Sequence, residues 1–217
     1  MFALNFLTMN LRKHKAAKLK LGILDQTLRL IGKKPFQDLH VKEICKRVKV
    51  SKVTFFNYFP MKEDVLLYYH RIWCFRRTLE LTIKPKQGLQ GIYFLADKLA
   101  DDADTHPGLI YGLLGYLGDI KRSVKPFAVK PEEKALLYPD RENAATTDIR
   151  SLEQMIEGFV LEAIFRKEIT TTTSTRDLTN VFHGILYGSL LVSQLTRQAS
   201  PGTVMRRNLD LFVKGLS

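Results

Sequence analysis

The chain has 217 residues, 45% hydrophobic and 26% charged, ordinary figures for a globular protein that set aside the disordered and fibrous classes. No run of about 18 or more uninterrupted apolar residues is present to span a membrane. The net charge of +12 is localised: residues 1–82 hold 17 Lys and Arg against 6 Asp and Glu, whereas residues 83–217 hold 17 against 16, the distribution expected if the N-terminal part lies against a polyanion.

The opening MFALNFLTMN is apolar but lacks a basic leader and a small-residue cleavage site, so it reads as a frayed start rather than a secretory signal. Residues Lys18 to Ile31 place Leu21, Leu24, Leu28 and Ile31 on one face of an amphipathic helix, stopped by Gly32 and Pro35. A short helix from Val41 to Val48 follows, with a weak N-cap at His40. After Lys49 and Val50, Ser51 is an N-cap whose hydroxyl can accept from the Thr54 backbone N–H, opening the helix SKVTFFNYF that Pro60 ends. Ile44, Val48, Val50, Phe55 and Phe59 are the expected small core of this pair.

A fourth helix runs from about Met61 toward Pro85, with Glu63 and Asp64 in its first turn. Further helices are expected over 87–104, 107–122, 148–167, 176–197 and 202–216, with a proline-bearing loop over 123–147 that can include a short helix. No segment alternates as a strand does. The fold class is therefore all-α: an N-terminal three-helix helix-turn-helix domain over residues 1–63, joined by a long helix to a helical bundle over 64–217, about nine helices in all.

Cys45 and Cys74 sit inside apolar helices, which fits reduced thiols in the cytoplasm, the expected location. The five histidines are scattered without metal-ligand spacing, and nucleophile elbow, phosphate loop and dinucleotide fingerprint are all lacking. Neither a metal, a cofactor nor an enzyme activity is expected, and no membrane partner.

Two short helices joined by a tight turn, the second polar on its outer face, suit insertion into a major groove about 12 Å wide. The segments ILDQTLRLIGKKPF and HVKEICKRVKVSKVTFFNYFPMKEDVL resemble, in register and without gaps, the DNA-binding domain of the tetracycline-repressor (TetR) family of bacterial regulators. The resemblance runs from Ile23 to Leu67. It departs at Lys49, where the family has a turn glycine, at Val53, also a glycine, at Phe56, a tyrosine, and at Pro35.

The resemblance implies a double-stranded DNA operator as partner, with Ser51, Lys52, Val53, Thr54, Phe56, Asn57 and Tyr58 on the recognition helix. It implies base contacts from Lys52, Val53, Thr54 and Asn57, and phosphate contacts from Tyr58, Lys62 and the basic stretch Arg12 to Lys20, with His40 and Lys42 near the backbone. It also implies a homodimer, because one such motif reads only a few base pairs. Phe182, Ile185, Leu186, Ser189 and Leu190, interleaved with glycines, are the expected dimer interface, the alternative being that the stripe is core of its own domain.

A small, largely apolar effector is expected in the second domain, near Trp73, Phe94, Tyr111, Phe159, His183 and Tyr187. In the resembled family repression is the default, so the expected function is that of a repressor released by its effector. The alternative is a ligand-independent DNA-organising or interaction protein on the same fold.

Overall fold

The computed structural model describes residues 2–121 and 127–216, with side chains from residue 11 onward. Among these residues the regular structure is helical, without strands: α1 (Phe2–Ile31), a 3-10 turn (Phe36–Asp38), α2 (Val41–Val48), α3 (Lys52–Tyr58), α4 (Asp64–Ile83), α5 (Gly88–Thr105), α6 (Pro107–Leu117), α7 (Pro131–Leu137), α8 (Leu152–Phe165), α9 (Thr175–Thr196) and α10 (Pro201–Lys214). The all-α expectation holds, and the tenth helix is α7, in the proline-bearing stretch.

Local chemistry explains most of the boundaries. Gly32, at φ +47°, takes the left-handed conformation that ends α1. His40 caps α2 without a side-chain bond. Lys49 closes that helix at φ 57°, ψ 47°, a left-handed residue with a Cβ, at a cost of roughly 1–2 kcal/mol. Ser51 accepts from the Thr54 N–H at 3.0 Å. The start of α4 falls at Asp64 because its carboxylate accepts from the Met61 N–H at 2.8 Å, turning 61–63 into a capping turn. Serines 151, 174 and 200 cap α8, α9 and α10 in the same way. Unlike the frayed start expected, α1 extends back to Phe2.

Packing divides the chain into two compact units, Met1–Trp73 with Tyr111–Asp148, and Cys74–Ile110 with Ile149–Ser217. In the first, α1 packs on α2 and α7, and α2 on α3, around the fully buried Ile23, Ile31, Ile44, Phe55, Phe59 and Tyr68. In the second, α5 packs on α8 and α10, and α9 on α8 and α10, around Ile92, Leu95, Phe182, Leu186, Leu190 and Leu209. Gly91 is required there, because a Cβ on it would stand inside the ring of Phe159.

Candidate nucleic-acid interface

The recognition helix is two turns long and one-sided. Phe55 and Phe59, four apart, are fully buried, tilted against each other at 5.6 Å between ring centroids, and Phe59 meets Tyr68 of α4 at 5.5 Å. That aromatic wedge fixes the helix and turns Lys52, Val53, Phe56 and Asn57 outward, with Thr54 and Tyr58 half-buried. Val53 is 71% exposed and Phe56 42%, and at a spacing of three they share the outer face of the helix as a small apolar patch. A thymine methyl is the apolar feature of a major groove that such residues can touch.

Beside this face runs a groove lined by His40, Lys42, Lys46, Lys52 and Phe56. The structure thus brings His40, Lys42 and the recognition helix to one surface, and adds Lys46 and Arg47, both exposed on α2. Sequence reasoning passed over those two; their signal was the alternation of basic residues with Ile44 and Cys45 on a single helix. Among the described residues, no group of three or more His, Cys, Asp or Glu could hold a metal ion.

Two lysines expected at phosphates turn inward instead. The Lys62 ammonium donates to the carbonyls of Phe36, Gln37 and Leu39 at 3.1, 3.2 and 3.1 Å and lies 4.8 Å from the Phe36 ring. Its three protons are committed to carbonyls of the 3-10 turn and its C-cap, and the Phe36 carbonyl also accepts from the Leu39 N–H at 3.2 Å. Lys62 is therefore a positioning residue for α2. Lys20, the last of the basic stretch, is buried: its ammonium lies 3.1 and 3.2 Å from the two Glu133 oxygens, donates to Ala128 O at 3.1 Å, and sits 4.1 Å from the centroid of the Tyr68 ring. The Tyr68 hydroxyl donates to Glu133 at 3.0 Å, and burial, then the carboxylate beside it, pushes that phenol well up. Burial likewise draws the Lys20 ammonium down, against the pull of Glu133.

The amino-acid pattern and this geometry converge on a helix-turn-helix, and residues 23–69 match the family described as bacterial regulatory proteins, tetR family. That segment is of the TetR type. The chain's fold is similar to that of three solved structures: Escherichia coli NemR in its reduced form, at 15% identity and TM-score 0.58 over 91% of this chain and 97% of that one; a TetR transcriptional regulator from Rhodococcus sp. RHA1, at 16% and 0.57 over 94% and 100%; and the transcriptional regulator FadR from Bacillus subtilis in complex with stearoyl-CoA, at 19% and 0.50 over 91% and 99%. No curated protein sequence matches the chain.

The residues expected at the dimer interface are mostly core. Phe182, Leu186, Ser189 and Leu190 are buried within the chain; Phe182 meets Phe212 edge-on at 5.1 Å, and Ser189 accepts from Asn208 at 3.0 Å. Only Ile185 is half-buried. A side chain already enclosed by α10 has no surface to offer a second chain.

Of the residues expected around an effector, Trp73 and Tyr111 belong to the first unit and Phe94, Phe159, His183 and Tyr187 to the second. His183 and Tyr187 are brought together, ring centroids 5.1 Å apart. Burial pulls the His183 imidazole below its ordinary 6.5, opposed by Glu153, and pushes the Tyr187 phenol up. Both shifts favour the uncharged forms. Phe159 lies against the backbone of Gly91, where it serves helix packing. Among the described residues, no helix is long and apolar enough to cross a membrane.

Proposed function

We propose that this chain is a TetR-family DNA-binding transcriptional regulator, a homodimeric repressor that leaves its operator when a small, largely apolar effector binds. The observation that carries the DNA-reading part is the exposure of Val53, Phe56, Lys52 and Asn57 on a helix whose opposite face, Phe55 and Phe59, is sealed. In this reading Lys52, Val53, Thr54 and Asn57 meet base edges, with Phe56 making apolar contact. Tyr58, His40, Lys42 and the exposed members of the Arg12 stretch meet phosphates. Functionally, residues 1–63 read DNA and residues 64–217 sense and dimerise.

The seam between subunits is assigned to the other face of α9. Val181, Leu191 and Leu195 are 42%, 50% and 82% exposed, and with Gly184 and Gly188 they recur at alternating spacings of three and four. A Cβ on either glycine would meet nothing within 4 Å, leaving room for a partner helix to approach. Leu211 of α10 is exposed as well. The His183–Tyr187 pair, shifted toward its uncharged forms, suits hydrogen bonding to an uncharged or amphipathic effector, a class to which the acyl chain of FadR's stearoyl-CoA belongs. The effector shifts a population between dimer forms with differently spaced recognition helices.

Binding of the purified protein to its own upstream intergenic DNA and to a scrambled duplex, across a salt series, tests this reading. Specific binding is expected, with Asn57→Ala relaxing the preference and Lys42→Ala making the salt slope shallower by about one unit. Equal weak binding to both duplexes overturns it. Leu191→Glu with Leu195→Glu is expected to yield monomers in sedimentation; an unchanged dimer removes the assigned seam.

A further inference from the structure

DNA reading leaves unexplained a cavity of about 650 Å³ in the first unit, where the N-terminal half of α1, the last turn of the recognition helix and the chain just before α7 come together. Its volume is that of a site for a small organic molecule. Its apolar lining is Ala16, Ala17, Phe127 and Ala128. Its floor is Lys20 and Glu133, and this floor is closed chemically as well as sterically. The Lys20 protons go to Ala128 O and the two Glu133 oxygens, while Glu133 also accepts from the Tyr68 hydroxyl and the Lys130 N–H.

The polar groups around the walls are the opposite case. Arg12, Asn57, Tyr58 and Lys130 line the cavity, and none of their side chains makes a hydrogen bond among the described residues; Lys13, which also lines it, is paired with Glu132 at 3.8 Å. All four can donate, two carry fixed positive charge, and the one carboxylate lining the cavity, Glu133, is saturated. Uncommitted donors around apolar walls select one kind of occupant, an apolar body bearing a single anionic group. A DNA phosphate satisfies the cations at the rim but leaves the apolar volume behind them empty.

We infer that this cavity is a binding site for a small amphipathic anion, an aromatic or short alkyl carboxylate or sulfonate, held by Arg12 and Lys130 with Asn57 and Tyr58. Since the proposed function also assigns Arg12, Asn57 and Tyr58 to the DNA, the exclusion of the operator by the occupant rests on that reading. This site is distinct from the effector site proposed in residues 64–217. Ligand binding here is measured without DNA, so it stands or fails independently of the operator-reading proposal.

The probe is 8-anilinonaphthalene-1-sulfonate, a fused apolar body with one fixed negative charge, titrated calorimetrically into the full-length protein. Ala16→Phe fills the cavity from its wall, and the Arg12→Ala/Lys130→Ala double variant removes two exposed charges without touching the core; matched thermal melts establish that each is folded. Wild type is expected to bind one equivalent per chain more than Ala16→Phe. The double variant is expected to weaken that equivalent by about tenfold or more, and a scrambled DNA duplex to displace it. The neutral N-phenyl-1-naphthylamine is expected not to occupy it. Identical stoichiometry and affinity in all three proteins overturns the site. So does a double variant that binds duplex DNA more weakly with an unchanged dye titration, since the cations then serve phosphates alone.

Discussion

In the first unit α1, α4 and α7 converge on a buried charge pair, Lys20 and Glu133, whose side chains are 8% and 2% exposed; in the second, α5 and α8 meet through the backbone of Gly91 and the ring of Phe159. An ionic seam is directional and close to all-or-none, because removing one partner strands the other in a low-dielectric interior. An apolar seam is graded by volume. Phe127 reinforces the contrast: it stacks on Phe59 at 5.6 Å while Lys20 lies 4.8 Å from its ring centroid. The recognition helix is thus braced by chain from beyond the helix-turn-helix.

The largest effect is expected from Glu133→Ala, which leaves the Lys20 ammonium uncompensated and lowers stability by about 3–5 kcal/mol in denaturant unfolding. Lys20→Met together with Glu133→Leu is expected to recover most of that loss; a single variant costing under about 1 kcal/mol removes the distinction between the units. Gly91→Ala comes next, at about 1–3 kcal/mol, because the Phe159 ring must move. Should it prove neutral, the close approach of α5 and α8 is not what holds the second unit.

Ser51→Ala is expected to cost about 1 kcal/mol through loss of the α3 cap. Since α3 has only seven residues, DNA affinity falls with it, and unchanged binding would show that the aromatic wedge alone suffices. The smallest effect is the pH dependence of His183. Its folded pKa is below 6.5, so the unfolded chain takes the proton first. Its contribution is complete above 6.5 and is lost as pH falls through 6.5 toward the folded value. Unfolding measured between about pH 7.5 and 5.5 is expected to show a shallower decline in His183→Gln; an identical decline assigns the slope to other groups.

The parts of the interface legible in sequence were those decided within a few residues. The bounds of α2, the Ser51 cap and the left-handed Lys49 follow from short-range sterics and hydrogen bonds that any neighbouring chain leaves unchanged. The acceptors of Lys20 and Lys62 were not legible, because a lysine in a basic stretch looks the same whether it faces solvent or finds an acceptor far along the chain. Glu133 is 113 residues from Lys20, and the carbonyls that hold Lys62 lie 23 to 26 residues before it. For α7, prolines announced a loop, and the helix that forms there does so where Glu133 can be buried against a cation.

By itself the sequence determined the all-helical class, the helix-turn-helix and the concentration of positive charge in its first 82 residues, since periodicity, capping and composition are properties of short stretches of chain. Only the tertiary structure decided which stripe of α9 is core. Val181 and Phe182, Ile185 and Leu186, and Leu190 and Leu191 are adjacent apolar pairs, so hydrophobic periodicity points both ways around the helix. Packing against α8 and α10 enclosed Phe182, Leu186 and Leu190 and left Val181, Leu191 and Leu195 outside. The outcome rests on which neighbours arrive, and those neighbours come from distant parts of the chain.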